Sequence, residues 1–447
     1  MTSIPAPAPA RASWPVEGAL LLLPSVALLG GVGALVLSLD LTLTPLEQAL
    51  LAVVAALPPL TPLAVRLLGK RWDGVLGGAV WMLCALSVIT VARVAPDLLS
   101  RQLLWIALGW ATLLGVLVLP DALGNLRRYR YSWLACGLLL AVVTLIFGED
   151  LNGSGIRLWL RVGPFTIQPS ELLRVLLVAF LAAYLAERHD LLTAVSMRWG
   201  RLRLPPLPYL SPLLAMTGLS MLILVFQRDL GPALLYFGSF IAMIYLATGR
   251  GSYLFFGAAL FAVAGVLGYA VSSHISERFA IWIDPWSDPE GVGYQSLQAL
   301  GGLASGGVLG SGPGYGYPTL IPAAQTDYPV VVIGEEWGLL GVAAVILLYA
   351  VATLRVLALA AREAPDRFTQ LLGAGLGVSL GLQVCIVIAG ALRVIPVAGI
   401  TSPFLSYGGS SMVVGWGVVA LVTTMIGPAR TPDRTGSGRA TSVGPAR

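Results

Sequence analysis

Apolar residues recur along this chain in runs of about 20, the length that an α-helix needs to cross the hydrocarbon core of a bilayer. Short polar connections separate the runs, and few charged residues interrupt them. Because backbone polar groups inside a bilayer must be paired within their own segment, such runs predict membrane-spanning helices. We predict twelve spans, near residues 17–38, 46–67, 74–95, 102–120, 131–147, 170–186, 209–226, 231–248, 252–273, 329–354, 368–392 and 409–427. The expected fold class is an all-α polytopic membrane protein.

Basic residues fall in alternate connections between the predicted spans, and this alternation predicts the orientation of the chain. Cytoplasmic loops are enriched in lysine and arginine. The basic connections contain Lys70 and Arg71, then Arg127, Arg128 and Arg130, then Arg188, Arg198, Arg201 and Arg203, then Arg250, then Arg362 and Arg367. We therefore predict a multi-pass protein of the cytoplasmic membrane with both termini in the cytoplasm. The long polar segment 274–328 then lies on the extracytoplasmic side.

The overall composition excludes a soluble globular protein. Hydrophobic residues make up 57% of the 447 residues, charged residues make up 11%, and the mean hydropathy is +0.84. The net charge of +5 requires no nucleic-acid partner, since the arginines face anionic membrane lipid. Cys84, Cys136 and Cys385 lie in predicted spans and the two histidines are far apart, so we expect neither a disulfide framework nor a histidine and cysteine metal site.

Ionisable residues at or near membrane depth are energetically costly, so clusters of them are candidates for function. The first cluster precedes and opens the sixth predicted span. It comprises Arg157, Trp159, Gln168, Ser170, Glu171 and Arg174. Glu171 and Arg174 are three residues apart and share one helix face. A helix start with an intrahelical ion pair and a substrate-binding site are both open interpretations of this cluster.

A second cluster, Gln227, Arg228 and Asp229, occupies the short connection between the seventh and eighth predicted spans. Gly231 and Pro232 indicate a tight turn there. A turn does not require an adjacent arginine and aspartate, and a surface ion pair would stabilise the fold little. We therefore favour a binding role for this cluster over a structural one.

The segment 274–328 is rich in glycine, for which a disordered linker is the plain alternative. The segment also carries the aromatic residues Trp282, Trp286, Tyr294, Tyr315 and Tyr317. A spacer has no use for aromatic surface, and connections of this length are usually functional. The glycine pattern matches neither a phosphate-binding loop nor a dinucleotide-binding turn. We expect this segment to carry the function of the protein.

Acidic residues mark the end of this segment and the span that follows it. Asp327 precedes Pro329 and an apolar run, a position that by itself favours N-capping of the helix over catalysis. Glu335 and Glu336 lie inside the span, with Glu335 about 12 Å along the helix from Asp327. Carboxylates at that depth must find hydrogen-bond donors, become protonated or line a wet cavity. For Glu335, a pairing with an arginine and a cavity role both remain open.

Six motifs in this order resemble the SEDS family (shape, elongation, division and sporulation; RodA, FtsW and SpoVE-like proteins). They are GPFTIQPSE, RDLG, WIDPWSDPEGVGYQ, IPAAQTDY, IGEEWGLLG and PVAGITSPFLSYGGSS. The resemblance runs from about residue 74 to residue 427. It implies a ten-helix SEDS-type core at 73–427 with a large extracytoplasmic loop at 274–328. Two additional transmembrane helices then lie within 1–72, and 428–447 form a basic cytoplasmic tail.

The resemblance also implies an activity, which is that of a peptidoglycan glycosyltransferase. Such an enzyme polymerises lipid II into glycan strands at the outer face of the cytoplasmic membrane, for cell elongation and shape or for division. The implied partners are a class B penicillin-binding protein, as the transpeptidase, and other cell-wall synthesis proteins. The family's essential aspartate falls on Asp327. On this footing catalysis becomes the better interpretation of Asp327, ahead of helix capping.

These implications lead to a mechanistic hypothesis. Asp327 would remove the proton of the acceptor sugar 4-hydroxyl as its oxygen attacks and inverts the anomeric carbon of the donor. Arg157, Arg174 and Arg228 are candidates for binding the departing diphosphate, since guanidinium groups contact its oxygens bidentately. The other predicted substrate-binding residues are Trp159, Gln168, Ser170, Glu171, Gln227, Asp229 and Glu335. A divalent cation, Mg²⁺ or Mn²⁺, with Asp229 or Asp327 as ligand is an alternative that the residues leave undecided.

Two other classes of function compete with this hypothesis. One is a flippase that moves lipid II or another lipid-linked sugar across the bilayer, whose path should carry hydrophilic residues through the full membrane depth. Here the polar clusters gather at one end of the predicted spans, which favours the enzyme. The other is a scaffold without catalysis, against which the presence of Asp327 argues.

Overall fold

Helices form at every predicted span of the chain. The computed structural model describes residues 14–150, 157–163, 165–194, 197–199, 202–204 and 207–427. The helices are α1 (Trp14–Leu39), α2 (Pro45–Leu67), α3 (Gly74–Val94), α4 (Leu99–Val118), α5 (Ala122–Arg128), α6 (Arg130–Phe147), α7 (Pro169–Glu187), α8 (His189–Ala194), α9 (Leu207–Phe226), α10 (Leu230–Thr248), α11 (Ser252–Val271), α12 (Ser273–Ile283), α13 (Tyr294–Gly306), α14 (Pro329–Arg362), α15 (Arg367–Ala391) and α16 (Gly409–Met425).

Length and hydropathy separate the helices suited to crossing a membrane from the others. In the described ranges, ten helices are long and apolar enough to span a bilayer. Two shorter apolar helices, Ser211–Phe226 within α9 and Gly409–Met425, coincide with the seventh and twelfth predicted spans. The prediction of an all-α polytopic membrane protein is confirmed. The count of twelve spans stays a prediction, because it depends on whether both shorter helices cross.

Two short antiparallel hairpins interrupt the helical chain. Strand β1 (Leu160–Val162) pairs with β2 (Phe165–Ile167) immediately before α7, and β3 (Met197–Trp199) pairs with β4 (Leu202–Leu204) before α9. The first hairpin lies within the first predicted cluster, since Arg157 and Trp159 precede β1 and Gln168 follows β2. It delivers the chain to the start of α7, where the remaining members of that cluster lie.

Two hydrophobic cores hold the bundle together. One core joins α1 to α4 with α14 and α16, and the rings of Trp81 and Trp416 pack in it with centroids 4.6 Å apart. The second core joins α6, α7, α9, α10 and α15. In the most apolar window of α7, 89% of residues are buried, against 6% in α11. Helix α7 is therefore central to the bundle, and the side chains of α11 are largely left to lipid.

The segment 274–328 is folded, so the disordered-linker alternative does not hold for it. It contains most of α12, the whole of α13 and short 3₁₀ turns at Pro285–Ser287 and Pro318–Leu320. Helix α12 begins two residues after α11 ends. Residues Ala299, Ile321 and Ala324 pack against the start of α14 in a third, small core. The segment therefore covers one end of the bundle, and it does so as an ordered layer.

Helix α14 is broken near its start, where the glycine-rich part of this segment crosses it. Gly338 has φ 67° and ψ −164°, a backbone conformation that interrupts the helix. Four backbone hydrogen bonds join the two segments at the break: Leu339 N to Gly307 O at 2.9 Å, Leu340 N to Val308 O at 3.3 Å, Ser311 N to Glu335 O at 2.9 Å and Gly312 N to Glu336 O at 2.9 Å. A Cβ on Gly338 would lie 2.4 Å from the carbonyl oxygen of Val308. Glycine is required here by both φ and space.

Candidate active site

Asp327 lines a cavity of about 260 Å³ at the end of the bundle that carries residues 274–328. The walls come from α12, α13, the turn before α14 and the connection after α15. The charged or polar side chains in the lining are Glu277, Arg278, Gln295, Ser296, Asp327 and Arg393. Asp327 is partly exposed in this cavity. Two carboxylates, two guanidinium groups and neutral hydrogen-bonding groups therefore converge on one space, which suits binding of a polar molecule.

The backbone before α14 places Asp327 in the cavity and not on the helix end. Tyr328 occupies the N-cap position of α14, and no side chain caps the helix there. The N–H of Asp327 donates to the Ala323 carbonyl at 2.9 Å, closing a turn in which Ala323 has a φ of 54°. The Ser406 hydroxyl donates to the carbonyl of Thr326, and Tyr407 N–H donates to the carbonyl of Gln325 at 2.7 Å. The capping interpretation of Asp327 is therefore wrong.

Three influences set the pKa of the Asp327 carboxyl. Burial raises the pKa of its carboxyl, whereas a hydrogen bond from Thr326 and the positive charge of Arg278 lower it. The net direction is upward from the ordinary value of 3.8. A carboxylate with a raised pKa is a stronger base than a solvated aspartate. This is the property that a general base for a sugar hydroxyl requires.

Arg278 is the residue that sequence reasoning missed. It lies on α12, donates Nη1–H to the carbonyl of Val397 at 2.6 Å, and its charge acts on both Asp327 and Asp229. Burial lowers the pKa of its guanidinium, and the two carboxylates raise it. A signal was present in the sequence, because Arg278 is the only lysine or arginine between residues 274 and 328. This signal was overlooked because Arg278 lies in a segment that was predicted to be a loop.

Through Arg278, parts of the first and second predicted clusters approach Asp327. Asp229 is buried at the start of α10 and accepts a hydrogen bond from Gln168 Nε2 at 3.2 Å. The pKa of Asp229 is raised to about 7, chiefly by burial and also by the negative charge of Glu171, while the Gln168 hydrogen bond and the Arg278 charge lower it. A chain of polar groups therefore runs from Asp327 through Arg278 to the start of α7.

The first turns of α7 continue this chain into the bundle. Glu171 and Arg174 form the predicted intrahelical ion pair at 3.2 Å, and Arg174 also donates to Gln383 of α15. Gln383 in turn donates to the carbonyl of Thr401 at 2.9 Å. Ser170 is buried, and its carbonyl accepts a hydrogen bond from Tyr236. Arg174 is thus engaged by protein groups on two sides, which makes it part of the support beneath the cavity.

The remaining members of the two clusters are placed elsewhere. Arg157 is exposed and donates to the carbonyl of Ile146 at 2.8 Å, and Trp159 pairs through its backbone with Glu149 next to β1. Gln227 is buried and donates to the carbonyl of Ala141 on α6 at 3.0 Å. Arg228 is exposed, with a φ of 55°. Among the residues that the structure describes, none of these four lines the Asp327 cavity.

Glu335 and Glu336 lie at the break in α14, and the glycine-rich chain covers them. The Glu335 carboxylate accepts a hydrogen bond from Tyr317 N–H at 2.6 Å and packs against Gly302 and Gly316. The arginine pairing that we considered for Glu335 is made by Glu336 instead, which accepts a hydrogen bond from Arg93 Nε of α3 at 2.5 Å. Both glutamates are buried, with 5% and 4% of their surface exposed. Glu335 therefore holds the covering segment in place, and the described lining of the Asp327 cavity does not include it.

Comparison with known proteins identifies the family of this chain. Residues 75–427 match the family model for FtsW, RodA and SpoVE, which is described as a cell cycle protein family. The chain belongs to the FtsW/RodA/SpoVE family. The resemblance to the SEDS family that the six motifs indicated is therefore confirmed. The family match begins at the start of α3, after α1 and α2.

Relatives within this family carry names that specify an activity. The peptidoglycan glycosyltransferase RodA of Mycobacterium tuberculosis is 36% identical over 388 residues, which is 83% of this chain and 82% of the relative. Stage V sporulation protein E of Bacillus subtilis is 35% identical over 279 residues, covering 62% of this chain and 72% of the relative. The probable peptidoglycan glycosyltransferase FtsW of Nitrosococcus halophilus is 36% identical over 334 residues, covering 72% and 81%.

Solved structures show the same fold. A chain from a peptidoglycan synthase complex that coordinates polymerization and crosslinking aligns with a TM-score of 0.66 and 29% identity, over 79% of this chain and 96% of that one. The crystal structure of RodA, a rod shape determining protein of Thermus thermophilus, aligns with a TM-score of 0.55 and 27% identity, over 78% and 95%. The described bundle is therefore the family's fold across most of the chain.

Proposed function

We propose that this protein is a peptidoglycan glycosyltransferase that polymerises lipid II into glycan strands for cell-wall synthesis. Relatives covering most of the chain are named for this activity. The single observation that carries the proposal is the cavity in which the carboxylate of Asp327 lies beside the guanidinium of Arg278. A base and a fixed positive charge at one site are what transfer of a sugar from a diphosphate requires.

In the proposed reaction, Asp327 accepts the proton of the acceptor 4-hydroxyl while that oxygen forms a bond to the anomeric carbon of the donor. The bond between this carbon and the diphosphate oxygen breaks, with inversion, and the diphosphate leaves with its electron pair. Arg278 supports the departing charge, because a preorganised cation in a partly buried cavity needs no reorganisation during the reaction. Arg157, Arg174 and Arg228 remain proposals for contacts with the diphosphate before or after this step.

Arg278 also bears on the proposed divalent cation. Its charge acts on both carboxylates that we considered as ligands, Asp229 and Asp327. In the described part of the chain, no three His, Cys, Asp or Glu side chains group around a common point. We therefore assign charge neutralisation at this site to Arg278.

The placement of the protein in the cell is part of the proposal. The protein is a multi-pass membrane protein, and we propose that it lies in the cytoplasmic membrane with both termini in the cytoplasm. The Asp327 cavity then opens on the extracytoplasmic side, opposite the basic connections from which the orientation was predicted. We also propose the division of the chain into N-terminal helices within 1–72, the core at 73–427 and a basic tail at 428–447. The family match over 75–427 supports this division.

The proposed partner is a class B penicillin-binding protein that crosslinks the new strands. Support comes from the structural neighbour, which belongs to a complex that performs both polymerization and crosslinking. The flippase alternative is not favoured, because the described polar network gathers around one end of the bundle. The scaffold alternative is opposed by the cavity around Asp327.

The decisive experiment incubates the purified full-length protein with lipid II, with and without a class B penicillin-binding protein, and separates the products by chain length. Glycan strands in the reaction support the proposal. A protein that only moves labelled lipid II between the leaflets of liposomes, without forming strands, is a flippase. A protein that forms strands with neither preparation and only increases those made by another polymerase is a scaffold.

A further inference from the structure

Arg393 joins the end of α12 to the connection that follows α15. Its Nε–H donates to the carbonyl of Trp282 at 2.9 Å, and its Nη2–H donates to the carbonyl of Ile283 at 2.9 Å. In return, Trp282 donates its indole N–H to the carbonyl of Arg393 at 3.0 Å. The last carbonyls of a helix have no partners within it, and a positive charge near them is favourable. Arg393 therefore caps the C-terminal end of α12 from another part of the chain.

Helix α12 depends on such a cap because it is short. It has 11 residues, a length at which a helix is marginal without tertiary contacts. Arg278 lies one turn before Trp282 on the same helix face. Its own hydrogen bond to the Val397 carbonyl joins α12 to the same connection at a second point. Two guanidinium groups thus hold α12 beside the Asp327 cavity, and only Arg278 acts on the Asp327 charge.

The backbone conformation of Arg393 indicates that this position requires the arginine side chain. Arg393 has a φ of 58°, in the left-handed region that glycine adopts without strain and other residues rarely do. Its N–H bonds to the carbonyl of Gly390 at 3.0 Å, a contact that glycine would make equally well. Such strain persists where the surroundings hold the residue in place. Here the three hydrogen bonds with the end of α12 do so.

We propose that Arg393 is a positioning residue for glycosyl transfer, which caps α12 and thereby holds Arg278 beside Asp327. The proposal rests on the proposed function of the cavity. It assigns Arg393 no contact with substrate. It explains why the connection after α15, far in sequence from Asp327, contributes to the walls of the cavity.

The test is Arg393→Gly, which removes the side chain and relieves the backbone strain. We expect faster amide hydrogen exchange in the second half of α12, because the cap is lost. We expect kcat for lipid II polymerisation to fall about 10²-fold, the usual cost of a small misplacement of catalytic groups. Arg393→Lys, which keeps one donor and the charge, should recover part of both losses. In an Arg278→Ala background, Arg393→Gly should reduce kcat little further, since both changes remove the same contribution.

The matched control is Asp40→Gly, which makes the same kind of backbone change at a φ of 50° in the connection between α1 and α2. It should leave α12 exchange and kcat unchanged. Unchanged α12 exchange in Arg393→Gly overturns the proposal, and so does a full additional loss in the Arg278→Ala background. If the wild-type protein makes no glycan strands, the proposed function fails instead, and α12 exchange still reports whether Arg393 caps the helix.

Discussion

Two acidic sites lie eight residues apart at the start of α14, and they differ in what surrounds them. Asp327 lines an open cavity with Arg278 as its nearby cation. Glu335 and Glu336 are covered by the glycine-rich chain and held by Tyr317 and Arg93. The same side-chain chemistry therefore lines the proposed catalytic cavity at one site and supports the architecture at the other, because the break at Gly338 lets another part of the chain seal only the second.

The site at Glu335 and Glu336, which we call the sealed site, affects the Asp327 cavity because both contact the segment between α13 and α14. Arg93 also donates to the carbonyl of Gly316 at 2.7 Å, so the ion pair with Glu336 secures the chain between α13 and Asp327. Helix α13 supplies one wall of the cavity. A rigid wall keeps the catalytic groups at working distance. Substitutions at the two sites should consequently change different measured quantities.

The largest effect is expected from Asp327→Asn. Polymerisation of lipid II should fall about 10²–10⁴-fold, because asparagine keeps the shape of the side chain but accepts no proton. Thermal unfolding of the purified protein should change little. Glu290→Gln is the matched control, since Glu290 is an exposed acid in the same segment, and it should polymerise normally. A normal rate for a correctly folded Asp327→Asn protein would exclude it as the general base.

The next largest effect is expected from Arg93→Met, which leaves Glu336 buried without its partner. The free energy of unfolding should fall by about 3–5 kcal/mol, measured by thermal or denaturant unfolding in detergent. The double variant Arg93→Met with Glu336→Met should recover most of this loss, because no unpaired charge remains. Should both variants be as stable as the wild type, the ion pair does not hold the sealed site.

A smaller loss of stability is expected from Gly338→Ala at the helix break. The φ and ψ of Gly338 lie in a region that is nearly exclusive to glycine and costs an alanine about 1–3 kcal/mol, and the new Cβ would lie 2.4 Å from the Val308 carbonyl oxygen. Gly115→Ala in α4 is the control, because a Cβ there has no atom within 4 Å. The control should be as stable as the wild type or slightly more. Equal melting temperatures for both variants would contradict the tight crossing at Gly338.

Arg278→Gln should lower kcat, because the cation for the leaving diphosphate is lost, and in the activity that remains it should also produce the smallest effect, a shift in pH dependence. Asp327 works in its ionised form, so polymerisation is lost as the pH falls through its pKa. Burial raises that pKa and the Arg278 charge lowers it, so removing the charge raises it further. The acid limb of the kcat profile should therefore move to higher pH. Arg161→Gln, which alters an exposed pair with Glu149, should leave the limb where it is.

Much of the candidate site was predictable from the sequence, and the failures share a cause. The motif before α14 identified Asp327, and the spacing of Glu171 and Arg174 predicted their ion pair. Local position failed for Asp327 as a cap, because a turn at Ala323 shifts the helix start by one residue. It also failed to single out Arg278, whose effect on Asp327 depends on where α12 packs. Proximity in sequence says little about which charges meet across a bundle.

The amino-acid sequence alone determined the helices, because a bilayer demands long apolar segments whose backbone groups pair internally. It also identified the family, because the six motifs can be recognised without any information on packing. Only the tertiary structure decided which polar groups cooperate. Arg393 and Trp282 are 111 residues apart and Arg93 and Glu336 are 243 apart, so these contacts exist only after the helices assemble. The cavity around Asp327 is a product of that assembly, since its walls come from four separate parts of the chain.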